Sequence, residues 1–296
     1  MIIAVFGLMT AVSLIPEGKL GLTENPYLSV VILQLIIFAL PTLFFCTLRG
    51  NEYRSRLRLR MPPLSSIPLL ICSFILMCTG SSLISFFLCR VAPEAMERTS
   101  AASYGGFAMT PGVFDGLYLV FAFALLPAIT EEFLFRGVMM AEYESGGTVT
   151  AVVMSSLTFA MVHYSPVRLP LYAFSAVVLA AVTYATRSAL AAMIVHFFNN
   201  VFVLFFEAHV RHIAEKQNIS GILLVFLLVG GTILSAAFAS FEASSLYRTY
   251  AANNVPSSHL PRGKSKTLSS LSEALLSPAF LLFLVLYIVM TLVVMR

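Results

Sequence analysis

Long apolar runs, separated by short polar breaks, recur along the whole chain. A helix of about 20 apolar residues is long enough to cross the hydrocarbon core of a bilayer. Because backbone N–H and C=O groups in lipid must be satisfied within their own segment, we expect each run to be helical. The runs lie at 1–15, 27–48, 67–89, 114–141, 149–164, 169–186, 188–208, 221–244 and 277–295. They predict an all-α fold, a polytopic transmembrane helical bundle of eight or nine helices.

The composition excludes a water-soluble globule. Only 11% of the residues are charged and 59% are hydrophobic, whereas a soluble domain carries about 25% charged residues. Membrane lipid is therefore the expected solvent and partner. The net charge of +4 is not concentrated on a soluble domain, so we expect no nucleic acid partner. We interpret residues 1–296 as a single membrane-embedded domain.

Basic residues predict the orientation of the bundle. The break after the second run carries five arginines, namely Arg49, Arg54, Arg56, Arg58 and Arg60. The break after the eighth run carries Arg248, Arg262, Lys264 and Lys266. With nine spans both breaks lie on one side, which the positive-inside rule assigns to the cytoplasm. We expect a multi-pass protein of the cell membrane with a cytoplasmic N-terminus. The Ser-, Asn- and Pro-rich stretch 249–275 is expected to form a flexible cytoplasmic loop.

Ionisable residues inside the apolar runs are the candidates for function, because a charge at membrane depth is costly unless it is paired or hydrated. The fourth run contains Glu131 and Glu132, which point about 100° apart around a helix. Glu132 and Arg136 are four residues apart and can form an ion pair on one face. That pairing leaves Glu131 to face a cavity. A purely structural ion pair is the alternative interpretation.

Two further polar pairs occur on other runs. Phe159 precedes His163 by one helical turn at the end of the fifth run, and His196 precedes Asn200 by one turn in the seventh. His196 and Asn200 project from one helical face and can hold one ligand together. Taken singly, each group has a structural alternative, such as a hydrogen bond between helices.

Taken together, these groups supply what water attack on an amide needs. The reaction requires a base, a group that steers the water and donors for the oxyanion. One Glu, two His and one Asn provide that set without a Ser or Cys nucleophile, and the sequence contains no H-E-x-x-H, G-x-S-G or G-x-G-D motif. Two other classes stay open. One is a non-proteolytic membrane scaffold or bacteriocin-immunity protein that keeps these residues for packing, and the other is a proton-coupled transporter.

Helix length gives a partial check on depth. The turn near residue 146 is about equally far along the chain from Glu131 and from His163, so an antiparallel hairpin brings them to similar depth. His196 fits less well, because straight helices would leave it ~10 Å closer to the cytoplasm than His163. A tilted or kinked helix is needed to close that gap.

The ordered motifs resemble those of the CPBP family, which comprises CAAX proteases and bacteriocin-processing (Abi) proteins. The family pattern is E-E-x-x-x-R, then F-x-x-x-H, then H-x-x-x-N or D. In this sequence it corresponds to Glu131, Glu132 and Arg136, then Phe159 and His163, then His196 and Asn200. The motif-bearing core spans about 110–210. The resemblance implies an intramembrane endopeptidase that cuts a peptide or protein substrate, lipidated or not, near the membrane.

The resemblance also implies a role for each residue. Glu131 would activate the water and His163 would help to hold it, while His196 and Asn200 would stabilise the oxyanion. The remaining motif residues, Glu132, Arg136 and Phe159, would support the site. Both a glutamate-type and a metal-dependent peptidase fit this pattern. We expect no cofactor, and the alternative is a catalytic zinc ion bound by Glu131, His163 and His196.

Overall fold

A computed structural model describes residues 1–13, 26–97, 113–206, 220–255 and 264–294. All regular secondary structure within these ranges is helical, which confirms the predicted all-α class. Continuous helical stretches are numbered here as single helices, including those that contain π-helical turns. The N-terminal helices are α1 (Ile2–Ser13), α2 (26–49), α3 (Ile67–Val91) and α4 (113–143). They are followed by α5 (Thr148–Met161), α6 (Leu169–Thr186), α7 (Ala189–Phe205), α8 (Gly221–Ala252), α9 (Lys264–Leu275) and α10 (Pro278–Val294).

Fewer helices are long enough to span a bilayer than the hydropathy pattern predicts. In the described ranges five helices have the length and apolar composition of a span, or six if the bent pair α9–α10 counts as one. The predicted count of eight or nine is therefore not confirmed. The shorter apolar helices are α1, α5 and α7. With 14 and 17 residues, α5 and α7 extend only ~21 and ~26 Å, against a hydrocarbon core of ~30 Å.

Two long helices contain π-helical turns immediately before a proline. In α2 the π-helical segment Leu35–Ala39 precedes Pro41, and in α4 the segment Val120–Leu125 precedes Pro127. Proline lacks an N–H group and its ring clashes with the carbonyl four residues earlier, so a wider turn relieves both problems. A second π-helical segment of α4, Phe133–Met139, follows directly after the two glutamates. The acidic pair thus lies between two irregular turns.

The basic breaks meet at one end of the bundle. Arg49 at the end of α2 forms an ion pair with Glu142 at the end of α4. The Nε of Arg60 donates to the carbonyl of Arg187 at 2.7 Å, and the Arg187 guanidinium lies 4.4 Å from the centre of the Tyr250 ring near the end of α8. These contacts bring the ends of α2, α4, α6 and α8 together. The assignment of this end to the cytoplasm stays a prediction.

The stretch 249–275 contains helix where a flexible loop was predicted. Residues 249–252 complete α8, and Lys264–Leu275 forms α9, while 256–263 lie outside the described residues. The leucines of α9 are spaced at helical intervals, and Leu271 and Leu275 pack against the core whereas Leu268 is exposed. This amphipathic pattern stabilises a helix despite the polar composition. The axes of α9 and α10 differ by 52°.

The terminal helices support the turn that follows α5. Phe6 of α1 and Phe283 of α10 are fully buried in one apolar cluster with Phe159. The Tyr164 ring lies 4.7 Å from the Phe6 ring, and its hydroxyl donates to the Phe6 carbonyl at 3.4 Å. Tyr164 itself has a φ of 48°, an uncommon conformation for an aromatic residue. Packing against α1 thus holds the strained turn next to His163.

Candidate active site

A cavity of about 510 Å³ is lined by residues of helices α3 to α7, of the turn after α5 and of the segment that follows α3. All four residues that the sequence suggested for catalysis line it, namely Glu131, His163, His196 and Asn200. Phe159 also lines it, whereas Glu132 and Arg136 do not. The motifs of three separate apolar runs thus converge on one pocket, and that pocket also has polar walls.

Glu131 lies on α4 and is 9% exposed. Its Oε1 accepts a hydrogen bond of 3.1 Å from Nε2 of Gln34, and the same amide nitrogen lies 3.0 Å from Oγ1 of Thr130. Gln34 is the residue of α2 directly before its π-helical turn. Gln34 belongs to none of the sequence motifs, because an isolated amide in an apolar run carries no signal of its own. Its hydrogen bond fixes the rotamer of the Glu131 carboxylate.

Glu132 and Arg136 form the predicted ion pair, and both side chains are fully buried. Nη1 of Arg136 donates to Oε1 of Glu132 at 2.9 Å, and Nη2 donates to the carbonyl of Ala176 on α6 at 2.9 Å. The guanidinium also lies 4.7 Å from the centre of the Phe159 ring. Removing one partner from such a pair would leave an uncompensated buried charge. The pair therefore joins α4 to α5 and α6 behind the cavity wall.

His196 contacts the same carboxylate from α7. Its Nδ1 lies 2.9 Å from Oε1 of Glu132, although the two residues are 64 positions apart. Ser188 is the N-cap of this helix, and its hydroxyl accepts a hydrogen bond from the N–H of Ala191. The sequence pattern paired His196 with Asn200 and did not indicate this contact. Because Nδ1 makes this contact, Nε2 is the ring nitrogen that is left to interact with a ligand in the cavity.

The sequence predicted a helix over 149–164, but α5 ends at Met161. His163 therefore lies in the turn after the helix. Its Nδ1 is 2.8 Å from the carbonyl oxygen of Phe159. Because a carbonyl only accepts, Nδ1 carries the proton, and Nε2 of a neutral ring is then a hydrogen-bond acceptor. The ring stacks on Tyr172 of α6, with centroids 3.9 Å apart and planes 19° apart. Tyr172 lines the cavity and, like Gln34, is a residue of the site that the motifs did not include.

The Phe159 ring is the centre of the aromatic packing behind the site. Its centroid lies 5.0 Å from that of His163 and 5.9 Å from that of His196. It also meets Phe135 edge-on at 5.1 Å. Both histidines therefore contact one ring, which resolves the depth mismatch that straight helices imply. The short α5 and the turn after it bring His163 back over the last helical turn.

Asn200 and Asn199 both line the cavity. Nδ2 of Asn200 donates to the carbonyl of Ala124 at 3.5 Å, a long bond that falls within the first π-helical turn of α4. Oδ1 of Asn199 is buried and has no hydrogen-bond partner in the part of the chain that the structure describes. The remaining polar lining consists of Ser81, Ser82, Ser85, Arg168 and Ser175. These groups make the cavity suitable for water or a peptide backbone.

The candidate zinc ligands do not form a metal-binding group. Among the described residues no three His, Cys, Asp or Glu side chains are grouped so that they could hold a metal ion. Glu131, His163 and His196 share the cavity walls, but His196 is turned through Nδ1 toward Glu132. As placed, these three side chains do not fit a zinc ion. The expectation that no cofactor is needed stays a prediction.

The motif-bearing segment matches a known protein family. Residues 113–202 match the family described as type II CAAX prenyl endopeptidase Rce1-like. This match covers the segment from α4 to α7 that carries all seven motif residues. Neither the comparison with curated proteins nor that with solved structures gives a match. The family match confirms the resemblance to the CPBP family.

The match also supports a class for the protein. At the level of the family, the match supports a CAAX-type intramembrane protease. Its apolar helices agree with an integral membrane protein. The family match also suggests that the substrate is a peptide or a protein.

Proposed function

We propose that the protein is an intramembrane endopeptidase that hydrolyses a peptide bond with a water molecule activated by Glu131. The observation that carries this proposal is the convergence of Glu131, His163, His196 and Asn200 on one polar cavity. These four groups come from α4, from α7 and from the turn after α5. A base, a water-orienting group and two possible oxyanion donors at one pocket are what amide hydrolysis requires.

Glu131 is the general base in this proposal. Its carboxylate lines the cavity, and Gln34 holds Oε1 in place. The carboxylate takes a proton from a water molecule while the water oxygen attacks the carbonyl carbon of the substrate. Nε2 of His163, an acceptor while Nδ1–H is bonded to the Phe159 carbonyl, accepts the second hydrogen of the same water and orients it.

His196 and Asn200 are the donors for the oxyanion. Because Glu132 is paired with Arg136 as a carboxylate and only accepts, Nδ1 of His196 donates to it. Nε2 donates to the oxyanion when both ring nitrogens carry a proton. The Asn200 amide has a second N–H beyond the one bonded to Ala124. Collapse of the intermediate breaks the C–N bond, and Glu131 passes its proton to the leaving nitrogen.

The non-proteolytic scaffold is the second candidate, and a specific observation favours it. The Glu132–Arg136–His196 cluster is fully or almost fully buried and joins α4, α6 and α7, and of its three residues only His196 lines the cavity. Such a cluster stabilises packing whether or not the protein cleaves anything. It does not account for Glu131, which lies outside this network and faces the cavity.

A single substitution separates the two functions. Glu131→Gln keeps the shape of the side chain and its hydrogen bond to Gln34, but removes the base. We expect the purified full chain in lipid nanodiscs to cleave peptides from a randomised library, presented with and without a prenyl group and analysed by mass spectrometry. Glu131→Gln should lose cleavage by at least about 10³-fold while its melting temperature stays nearly unchanged.

The matched control is Glu52→Gln. Glu52 is an exposed residue of the turn after α2, far in sequence from the motifs. This variant should cleave at the wild-type rate. Retention of cleavage by Glu131→Gln would overturn the assignment of the base. Absence of cleavage in wild type, together with a large loss of stability in Glu131→Gln, would favour the scaffold.

A further inference from the structure

The cavity contains a cation that the proposed reaction does not use. Among the described residues that line it, Arg168 is the only lysine or arginine and Glu131 is the only carboxylate. Positive charge in a cavity of a membrane protein is costly and marks a site for an anion or an ion path. We propose that Arg168 is a subsite for a carboxylate of the peptide substrate. This inference rests on the proposed peptidase function.

The electrostatic setting of Arg168 favours an anion. Arg168 is the N-cap residue of α6, and Pro170 follows at the start of the helix. The N-terminus of an 18-residue helix carries partial positive charge, and an arginine there adds to it. The first turn of α6 contains no acidic residue that would offset this field. Helix and side chain therefore present positive potential at the same part of the cavity.

The position of Arg168 relates the subsite to the reacting groups. Arg168 and Tyr172 are one helical turn apart at the start of α6, and their side chains interact electrostatically. The Tyr172 ring in turn stacks on His163, with centroids 3.9 Å apart. A carboxylate held by Arg168 is thus separated from the water-orienting histidine by one aromatic side chain. This short separation makes Arg168 a specificity-determining residue for a group close to the scissile bond.

The wall formed by α3 and α6 supplies further donors. Ser81, Ser82 and Ser85 of α3 and Ser175 of α6 line the cavity. Oγ of Ser81 and Oγ of Ser175 lie 3.3 Å apart, so the two helices share a hydroxyl pair. A carboxylate has more acceptor sites than one guanidinium fills. The serine hydroxyls can donate to the remaining acceptor sites of the carboxylate. An apolar substrate side chain would not use these donors.

A carboxylate can come from two parts of a peptide, and the test separates them. Binding is measured with the full chain carrying Glu131→Gln in nanodiscs, so that no probe is cleaved. The probes are fluorescent tetrapeptide libraries with a C-terminal acid or a C-terminal amide, each with Asp or with Asn fixed at one internal position. We expect the preferred acid to bind about tenfold or more tightly than its neutral counterpart, because hydrogen bonds to charged groups are the stronger class.

Substitution of the arginine decides the inference. Adding Arg168→Gln should abolish the preference for the acid, and Arg168→Lys should retain part of it. Arg54→Gln, at an exposed arginine outside the cavity, should retain all of it. Preference for the C-terminal acid assigns the terminal carboxylate, and preference for Asp over Asn assigns a side chain. Equal binding of acids and neutral probes, no binding of either, or a preference that survives Arg168→Gln overturns the proposal.

Because binding and cleavage are measured separately, their failures can be told apart. If wild type cleaves peptides but does not distinguish acids from amides, the proposed carboxylate subsite is wrong and the proposed peptidase function is supported. If Glu131→Gln binds acids through Arg168 but wild type cleaves nothing, the subsite stands and hydrolysis is wrong.

Discussion

His196 Nδ1 and Glu132 Oε1 are 2.9 Å apart, and the same oxygen accepts a hydrogen bond of 2.9 Å from Arg136. One carboxylate oxygen thus binds a cation from its own helix and an imidazole from α7. Neither Glu132 nor Arg136 reaches the cavity, so Glu132 can affect a reaction through His196, and Arg136 also through the Phe159 ring. Glu132 is a positioning residue in this arrangement, because it sets which nitrogen of His196 faces the pocket.

Loss of the Glu132 charge should destabilise the fold far more than loss of the Glu131 charge. In Glu132→Gln the fully buried Arg136 loses its counter-ion, and breaking a buried pair costs about 3–5 kcal/mol. Chemical unfolding of the reconstituted protein measures the difference. The matched control is Glu142→Gln, which breaks the ion pair to the half-exposed Arg49 and should cost less than about 1 kcal/mol. Equal losses in the two variants would contradict a stabilising role for the buried network.

Removal of the Gln34 amide should weaken catalysis with little effect on folding. Gln34 holds Oε1 of Glu131 from a different helix, and Gln34→Leu leaves that carboxylate without its orienting donor. We expect kcat to fall about tenfold or more, as for other misplaced catalytic groups, with little change in KM. Leu40→Ala on the same helix, where the side chain is 65% exposed, should leave kcat unchanged. An unaltered kcat in Gln34→Leu would show that Glu131 needs no support.

The local parts of the site could be predicted from the sequence, and the long-range parts could not. Glu132 and Arg136 meet because residues four apart on a helix are neighbours whatever surrounds them. The contacts Glu132–His196 and Gln34–Glu131 depend on how α2, α4 and α7 pack, and no spacing in one segment encodes that. The motif residues thus indicated the pocket, but not which of them bind one another.

Helix lengths also could not be predicted from hydropathy. The run 149–164 is apolar throughout, yet α5 ends at Met161 and leaves His163 in a turn. Hydropathy depends on where apolar residues lie, but a helix ends where its backbone hydrogen bonds end. Conversely, α9 was predicted as a loop because its composition is polar, although the leucines that pack against the core follow a helical period.

The stacking partner of His163 should matter through its ring and not only through its hydroxyl. Tyr172→Phe keeps the face-to-face contact at 3.9 Å. With a peptide substrate that ends in a C-terminal amide, it should retain kcat within about threefold. Tyr172→Leu removes the stack, so His163 can rotate and the proposed water loses its acceptor. We expect its kcat to fall about tenfold or more. Comparable activity of the two variants would show that the imidazole is held by the Phe159 carbonyl alone.

The close contact between α3 and α6 should depend on Gly80. A Cβ atom at this position would lie 2.3 Å from Cζ of the Phe174 ring, so Gly80→Ala must displace that ring or separate the helices. Overpacking of this kind costs about 1–3 kcal/mol, and it should lower the melting temperature.

Gly230→Ala is the matched control for Gly80→Ala. No atom lies within 4 Å of a Cβ at Gly230, and in a helix interior alanine is favoured over glycine by about 1 kcal/mol. Gly230→Ala should therefore be neutral or stabilising. If Gly80→Ala is destabilising because of the ring, the double variant Gly80→Ala with Phe174→Leu should recover part of the loss. A loss that persists unchanged would contradict the assigned contact.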